Sequence, residues 1–150
     1  MNNTHFEKLE QMYLKANINT MLFNDTTCKI SEGFSEITLN LDEKYFHALG
    51  AIHGAVYFKL LDDASYFAAS SLVKDMFILT TSFNINLIRT ASSGKIKAMG
   101  KIKHRSKSLY VAEAVLFNEK GQEIAFGTGN FSKSNIALSE EIGYKLSSNQ

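Results

Sequence analysis

The chain has 150 residues, 45% of them hydrophobic, with a formal charge of +1, one cysteine and no proline. One domain with a real core is the simplest reading of that length. The balanced charge gives no basis for binding nucleic acid or an anionic membrane, and no apolar run reaches the ~18 residues a membrane span needs. The lone Cys28 excludes an intrachain disulfide and a cysteine metal cluster, and in a strand-like run it reads as packing. Four scattered histidines have no ligand spacing, so no metal site is expected. The first residues, Met1 to His5, lack the charged and apolar regions of a signal peptide, which makes the cytoplasm the default location.

Thr4-His5-Phe6-Glu7 fits a capping box, and Phe6, Leu9, Met12 or Tyr13, and Ala16 follow at helical spacing. A short N-terminal helix over about 5–17 is predicted. Thr26 to Glu32 and Phe34 to Leu41 are separated by Gly33, and Phe34, Ile37, Leu39 and Leu41 mostly alternate, as in a hairpin. Residues 54–72 form a second, longer helix that is apolar over most of its circumference, so it is buried on more than one side. Four strand-like runs follow: Phe77 to Arg89, Lys95 to Arg105, Leu109 to Phe117 and Glu123 to Phe131. Leu109 to Phe117 is apolar on both faces apart from Glu113, as an interior strand would be. Residues 133–150 turn polar, with Ser139-Glu140-Glu141 marking a short terminal helix. Helix, two strands, long buried helix and four strands make an α+β domain over 1–150 with its core at about 26–132. One buried helix wrapped by a curved, mostly antiparallel sheet is the hotdog arrangement.

The segment His47-Ala48-Leu49-Gly50-Ala51-Ile52-His53-Gly54-Ala55 leads into that helix, which then carries Asp62 and Asp63. Charges in such a helix are costly to desolvate unless paired or used. Asp63 is the nearer partner for Lys59 at i,i+4, while Asp62 faces Ala55, Phe58 and Tyr66. A helix start offers free N–H groups and a positive dipole end, and Gly54 has no Cβ to keep a substrate carbonyl away. Gly54 and Asp62 are eight residues apart, about 12 Å along the axis. A general base must come within about 3 Å of its proton or act through one water. One chain's helix start and its own Asp62 therefore cannot easily serve one carbonyl, whereas two antiparallel helices from two subunits can.

These residues resemble the hotdog-fold acyl-CoA thioesterases of the phenylacetate-pathway type. That family carries Asn, Gly and His-Gly-Gly before its helix and Leu-Ala-Asp within it. Here His47, Gly50, His53-Gly54-Ala55 and Leu60-Leu61-Asp62 stand in those places, with the same nine-residue spacing from His53 to Asp62. Asn84 to Arg89 and Gly127 to Phe131 resemble its later strands, so the resemblance covers about residues 30–132. It implies hydrolysis of an acyl-CoA thioester, with no cofactor beyond the coenzyme A of the substrate. Asp62 is then general base or nucleophile, and the N–H of Gly54 or Ala55 polarises the carbonyl. A homodimer with two shared sites, or a dimer of dimers, follows from the spacing and the family alike.

Three departures are His47 for the usual Asn, Ala55 for the second Gly, and Thr90 for a proline. His47 either positions the water or acts as a second base; His53 either orients the loop or bonds near the thioester. Thr80 falls where the family lines the site across from the acid, with Thr81 and Ser82 competing by register. Arg89, Arg105 and Lys107 are the candidates for the nucleotide end of coenzyme A. The lysines 95, 97, 101 and 103 read as a solvated face or edge protection. Phe46, Tyr57, Phe58, Tyr66, Phe67 and Phe77 line an acyl tunnel or belong to the core, and the N-terminal helix is placed as a cap on that tunnel. The competing readings are a hotdog enoyl-CoA hydratase or dehydratase and a non-catalytic acyl-CoA-binding protein.

Overall fold

The computed structural model describes residues 3–148. Met1 and Asn2, where the N-terminal reading begins, and Asn149 and Gln150 lie outside the described residues. Helix α1 (Asn3–Lys15) is followed by a short α2 (Asn17–Met21), strands β1 (Thr26–Ser31) and β2 (Phe34–Asn40), and the long helix α3 (Gly54–Ser70). Strands β3 (Met76–Leu87), β4 (Lys95–Arg105), β5 (Leu109–Phe117) and β6 (Glu123–Ala137) complete one antiparallel sheet in the order β1-β2-β4-β5-β6-β3. This is the hotdog fold: a curved six-stranded sheet holding a central helix.

The sheet can close on α3 because the facing side chains are apolar or absent. Leu60, Leu61 and Ala64 are fully buried against Ile37, Leu39, Ile96, Ala98 and Leu116. Gly100 is required at the tightest approach, where any Cβ would overlap the Ala64 carbonyl. Ser35 Oγ donates to that same carbonyl at 2.6 Å. Cys28 is buried in the β1 side of this core, as the packing reading expects, and burial pushes its thiol well up.

One strip of α3 escapes the sheet. Ala55 and Phe58 are exposed, and Lys59, Asp62, Asp63 and Tyr66 are partly so, at the i, i+3, i+4, i+7 spacing of one helix face. The N-terminal segment lies over part of it. α1 also protects the β1 edge, where Glu10 Oε1 accepts the Ile30 N–H at 2.7 Å.

Some boundaries differ from the sequence reading. The N-terminal helix breaks at Ala16, whose extended backbone starts α2. Thr4 lies inside α1 instead of capping it. β6 runs on to Ala137, through residues read as a polar tail, because Met76 and Ile78 of β3 give it partners. β4 lies between β2 and β5, so its lysines protect no edge; Lys97 and Lys103 instead stand 3.6 Å from Glu36 and Glu113 across the outer face.

Candidate active site

Asp62 occupies the uncovered strip of α3, on the wall of a cavity of about 820 Å³. Across from it, β3 carries a bulge between Thr80 and Ser82. The extra residue, Thr81, turns out and donates to the Asn130 carbonyl. Thr80 turns in, and its Oγ1 donates to Asp62 Oδ1 at 2.9 Å. The bulge thus settles which of the three neighbouring hydroxyls meets the acid. Burial raises the Asp62 pKa to about 6, opposed by the Thr80 hydrogen bond and reinforced by the Asp63 charge. The carboxylate is therefore a stronger base than an exposed aspartate, yet still ionised at neutral pH.

Asp63 has a different setting. The Lys59 ammonium donates to its Oδ2 at 2.6 Å and the Tyr13 hydroxyl donates to the same oxygen at 2.7 Å. Both of its partners are committed to holding it in place.

The start of α3 is built by His53. Its extended backbone makes it the N-cap, and its Nδ1 accepts the Ala55 N–H at 2.9 Å. Its carbonyl takes the Val56 N–H at 2.9 Å. The Gly54 N–H, first in the helix, has no hydrogen-bond partner among the described residues. Its missing Cβ would have met nothing closer than a Leu87 methyl at 3.7 Å, so the space above it is open within one chain. Of the two N–H groups that sequence offered, the helix cap occupies Ala55's and leaves Gly54's.

His47 belongs to a turn before the helix. Its Nδ1 accepts the Leu49 N–H at 3.1 Å and its backbone N–H donates to Ala51. It does not line the cavity with Asp62. Arg89 lies beside the helix start, where its carbonyl accepts the Tyr57 hydroxyl at 2.6 Å. Arg105 lies at the opposite end of the sheet, opposite Tyr110 of β5, and Lys107 follows it in the β4–β5 turn. One chain therefore brings Asp62, Thr80 and Ala55 to one cavity, and gathers His47, His53, Gly54 and Arg89 about the helix start outside its lining. It leaves Arg105 and Lys107 apart from both groups.

Phe58, Tyr66, Phe67 and Phe77 line the cavity; Tyr57 and Phe46 do not. Sequence reasoning did not single out Tyr13, Asn19 and Phe23, which also line it. An asparagine 2% exposed beside surface residues is the trace they leave, visible only once burial is known. Among the described residues, no group of three or more His, Cys, Asp and Glu converges as a metal site would.

This architecture, a helix gripped by a sheet with an acid on its open strip, defines a hotdog-fold protein. Residues 49–125 match the family model of the thioesterase superfamily, about half of the chain, and the chain belongs to that superfamily of thioester hydrolases. It is similar to the Escherichia coli PaaI protein from the phenylacetic acid degradation operon, at 18% identity and a TM-score of 0.81 over 92% of this chain and 99% of that one. A Haemophilus influenzae thioesterase matches at 20% identity and a TM-score of 0.76, over 87% and 91% of the two chains. At these identities the two structures show a shared fold. A Saccharolobus solfataricus protein that carries the provisional name of an esterase is 24% identical over 103 residues, 69% of each chain.

Proposed function

We propose that the protein is an acyl-CoA thioesterase acting on a small aromatic or a short- to medium-chain acyl-CoA, and that Asp62 is its general base. The observation that carries this is the Asp62 carboxylate: partly buried, oriented by Thr80, and facing a cavity large enough for an acyl group. Asp62 takes a proton from water as the water attacks the thioester carbon. The negative charge that develops on the carbonyl oxygen needs a preorganised donor. Gly54 N–H of the other subunit supplies it, with His53 acting by capping the helix. We assign His47, near the same helix start, to contact with the attacking water in place of the family's Asn. Collapse of the intermediate breaks the C–S bond, and the departing thiolate of coenzyme A takes up a proton.

The split site is supported by the edge of the sheet. β3 is an outer strand, and beside it Phe58, Leu79, Leu87 and Ile88 are 43–52% exposed in the single chain. A long, unpaired edge flanked by exposed apolar side chains favours pairing with a second copy. A homodimer joined there, alone or as half of a dimer of dimers, sets two α3 helices antiparallel. Arg89 of one subunit with Arg105 and Lys107 of the other then become candidates for the phosphates of coenzyme A. Coenzyme A enters only as part of the substrate, and we place the enzyme in the cytoplasm.

The test mixes two dead variants. Asp62→Asn and Gly54→Val chains, unfolded together and refolded at equal amounts, give half mixed dimers, each with one intact site, so about a quarter of wild-type thiol release returns. No recovery, with mixed dimers demonstrated by mass, refutes a site shared between subunits.

A further inference from the structure

The cavity has a second wall that the proposed reaction does not use. α1, α2 and the residues just after them lay Met12, Tyr13, Ala16, Ile18, Asn19 and Phe23 along it. This segment is held by more than apolar contact. Besides Asp63, the Lys59 ammonium donates to Asn19 Oδ1 at 2.8 Å and to the Tyr13 hydroxyl oxygen at 3.1 Å. Asn19 Nδ2 donates back to the Tyr13 carbonyl at 2.7 Å. The rings of Phe23 and Tyr13 stand 4.6 and 5.0 Å from the ammonium. All three ammonium protons are thereby used. A buried ion pair is costly unless its remaining donors and acceptors are met. Here each group that meets them, beyond the pair itself, comes from the N-terminal segment. The Lys59–Asp63 pair thus pins that segment at a fixed height over α3, less than one turn from Asp62.

Beyond this pin the wall is apolar: Met12, Ala16 and Ile18, joined by Ile136 and Ile142 from the C-terminal side. The α3 residues on the cavity run from Ala55 to Phe67, about 18 Å of helix. That length suits an extended chain better than a single ring. Ala16 is the smallest side chain of the N-terminal wall, and it is exposed, so enlarging it adds bulk to the cavity and not to the core.

We propose that the pinned N-terminal segment is the acyl gauge of this site. It selects straight, medium-length acyl chains by the clearance left at Ala16 and Ile18. The inference rests on reading the Asp62 cavity as the acyl site.

Calorimetry with the non-hydrolysable thioethers S-butyl-CoA and S-dodecyl-CoA tests it, beside kcat/KM for butyryl-CoA and dodecanoyl-CoA. In Ala16→Phe the dodecyl ligand weakens at least tenfold relative to the butyl ligand. Ile18→Trp, at the half-exposed rim, gives the same direction and stands in if the first variant does not fold. The double variant Lys59→Met, Asp63→Asn removes the pin without leaving a lone charge, and the dodecyl-to-butyl affinity ratio moves toward one by threefold or more. A dodecyl-to-butyl ratio that stays within twofold of wild type in both rim variants overturns the gauge. A ratio that moves while the wild type releases no thiol from either thioester, nor from an aromatic acyl-CoA assayed beside them, keeps the gauge and refutes the hydrolase reading.

Discussion

Asp62→Asn separates a residue kept for chemistry from one kept for stability. The substitution is isosteric, and the Asn carbonyl oxygen can still accept from Thr80 Oγ1. What it removes is an ionisable group whose charged form the site disfavours. Moving a carboxyl from the ordinary 3.8 to about 6 sets the folded anion about 3 kcal/mol above its unfolded counterpart, at 1.36 kcal/mol per pH unit. Asp62 is still partly open to solvent, and screening reduces this to about 1–2 kcal/mol. The sign follows from proton binding. The folded pKa lies above the unfolded one, so the contribution of Asp62 is intact below about pH 4 and lost as pH rises through about 6. At pH 8 the Asn variant is therefore the more stable protein, by about 2–8 °C in Tm for a chain of this length. At pH 4 the two melt together. The kcat of the variant falls about 100- to 10,000-fold, the usual worth of a general base. The assay is a pair of calorimetric melts at pH 4 and pH 8 beside thiol release from an acyl-CoA panel. An Asn variant less stable at pH 8, or one that turns over like wild type, refutes the reasoning.

Thr80→Val removes the hydrogen bond that favours the Asp62 anion, so the acid limb of the kcat/KM profile, expected near pH 6, moves up by about one pH unit. A limb that stays in place under a pH-rate titration rejects Thr80 as the orienting group. Gly100→Ala forces a methyl into the Ala64 carbonyl and costs about 1–3 kcal/mol or more, seen as a lower urea midpoint. Tyr13→Phe leaves Asp63 with Lys59 alone and destabilises by about 1–3 kcal/mol; an unchanged Tm shows that the Tyr13 hydroxyl does not hold the segment.

Much of this protein was legible because its signals are local. The alternation of β2, the apolarity of β5 on both faces, the all-round apolarity of α3 and the Lys59–Asp63 spacing are properties of short windows, and the local pattern reports them. The division of labour between Asp62 and Asp63 also follows from i,i+4 geometry alone. The family resemblance added the role of the acid and the glycine at the helix start.

The rest needed contacts between residues far apart in the chain. No local rule tells Thr80 from Thr81; the β3 bulge does, and it exists because β6 pairs with β3 on either side of it. The buried Asn19 meets an ammonium on another helix 40 positions away. That Ala55's N–H is capped while Gly54's is open depends on the rotamer of His53, which composition and spacing do not encode. The sequence by itself determined a helix gripped by a sheet, with one carboxylate ion-paired on that helix and the other left without a cation. Only the tertiary structure decided what faces that carboxylate, because bulges, caps and buried ion pairs take their energies from partners that folding brings together.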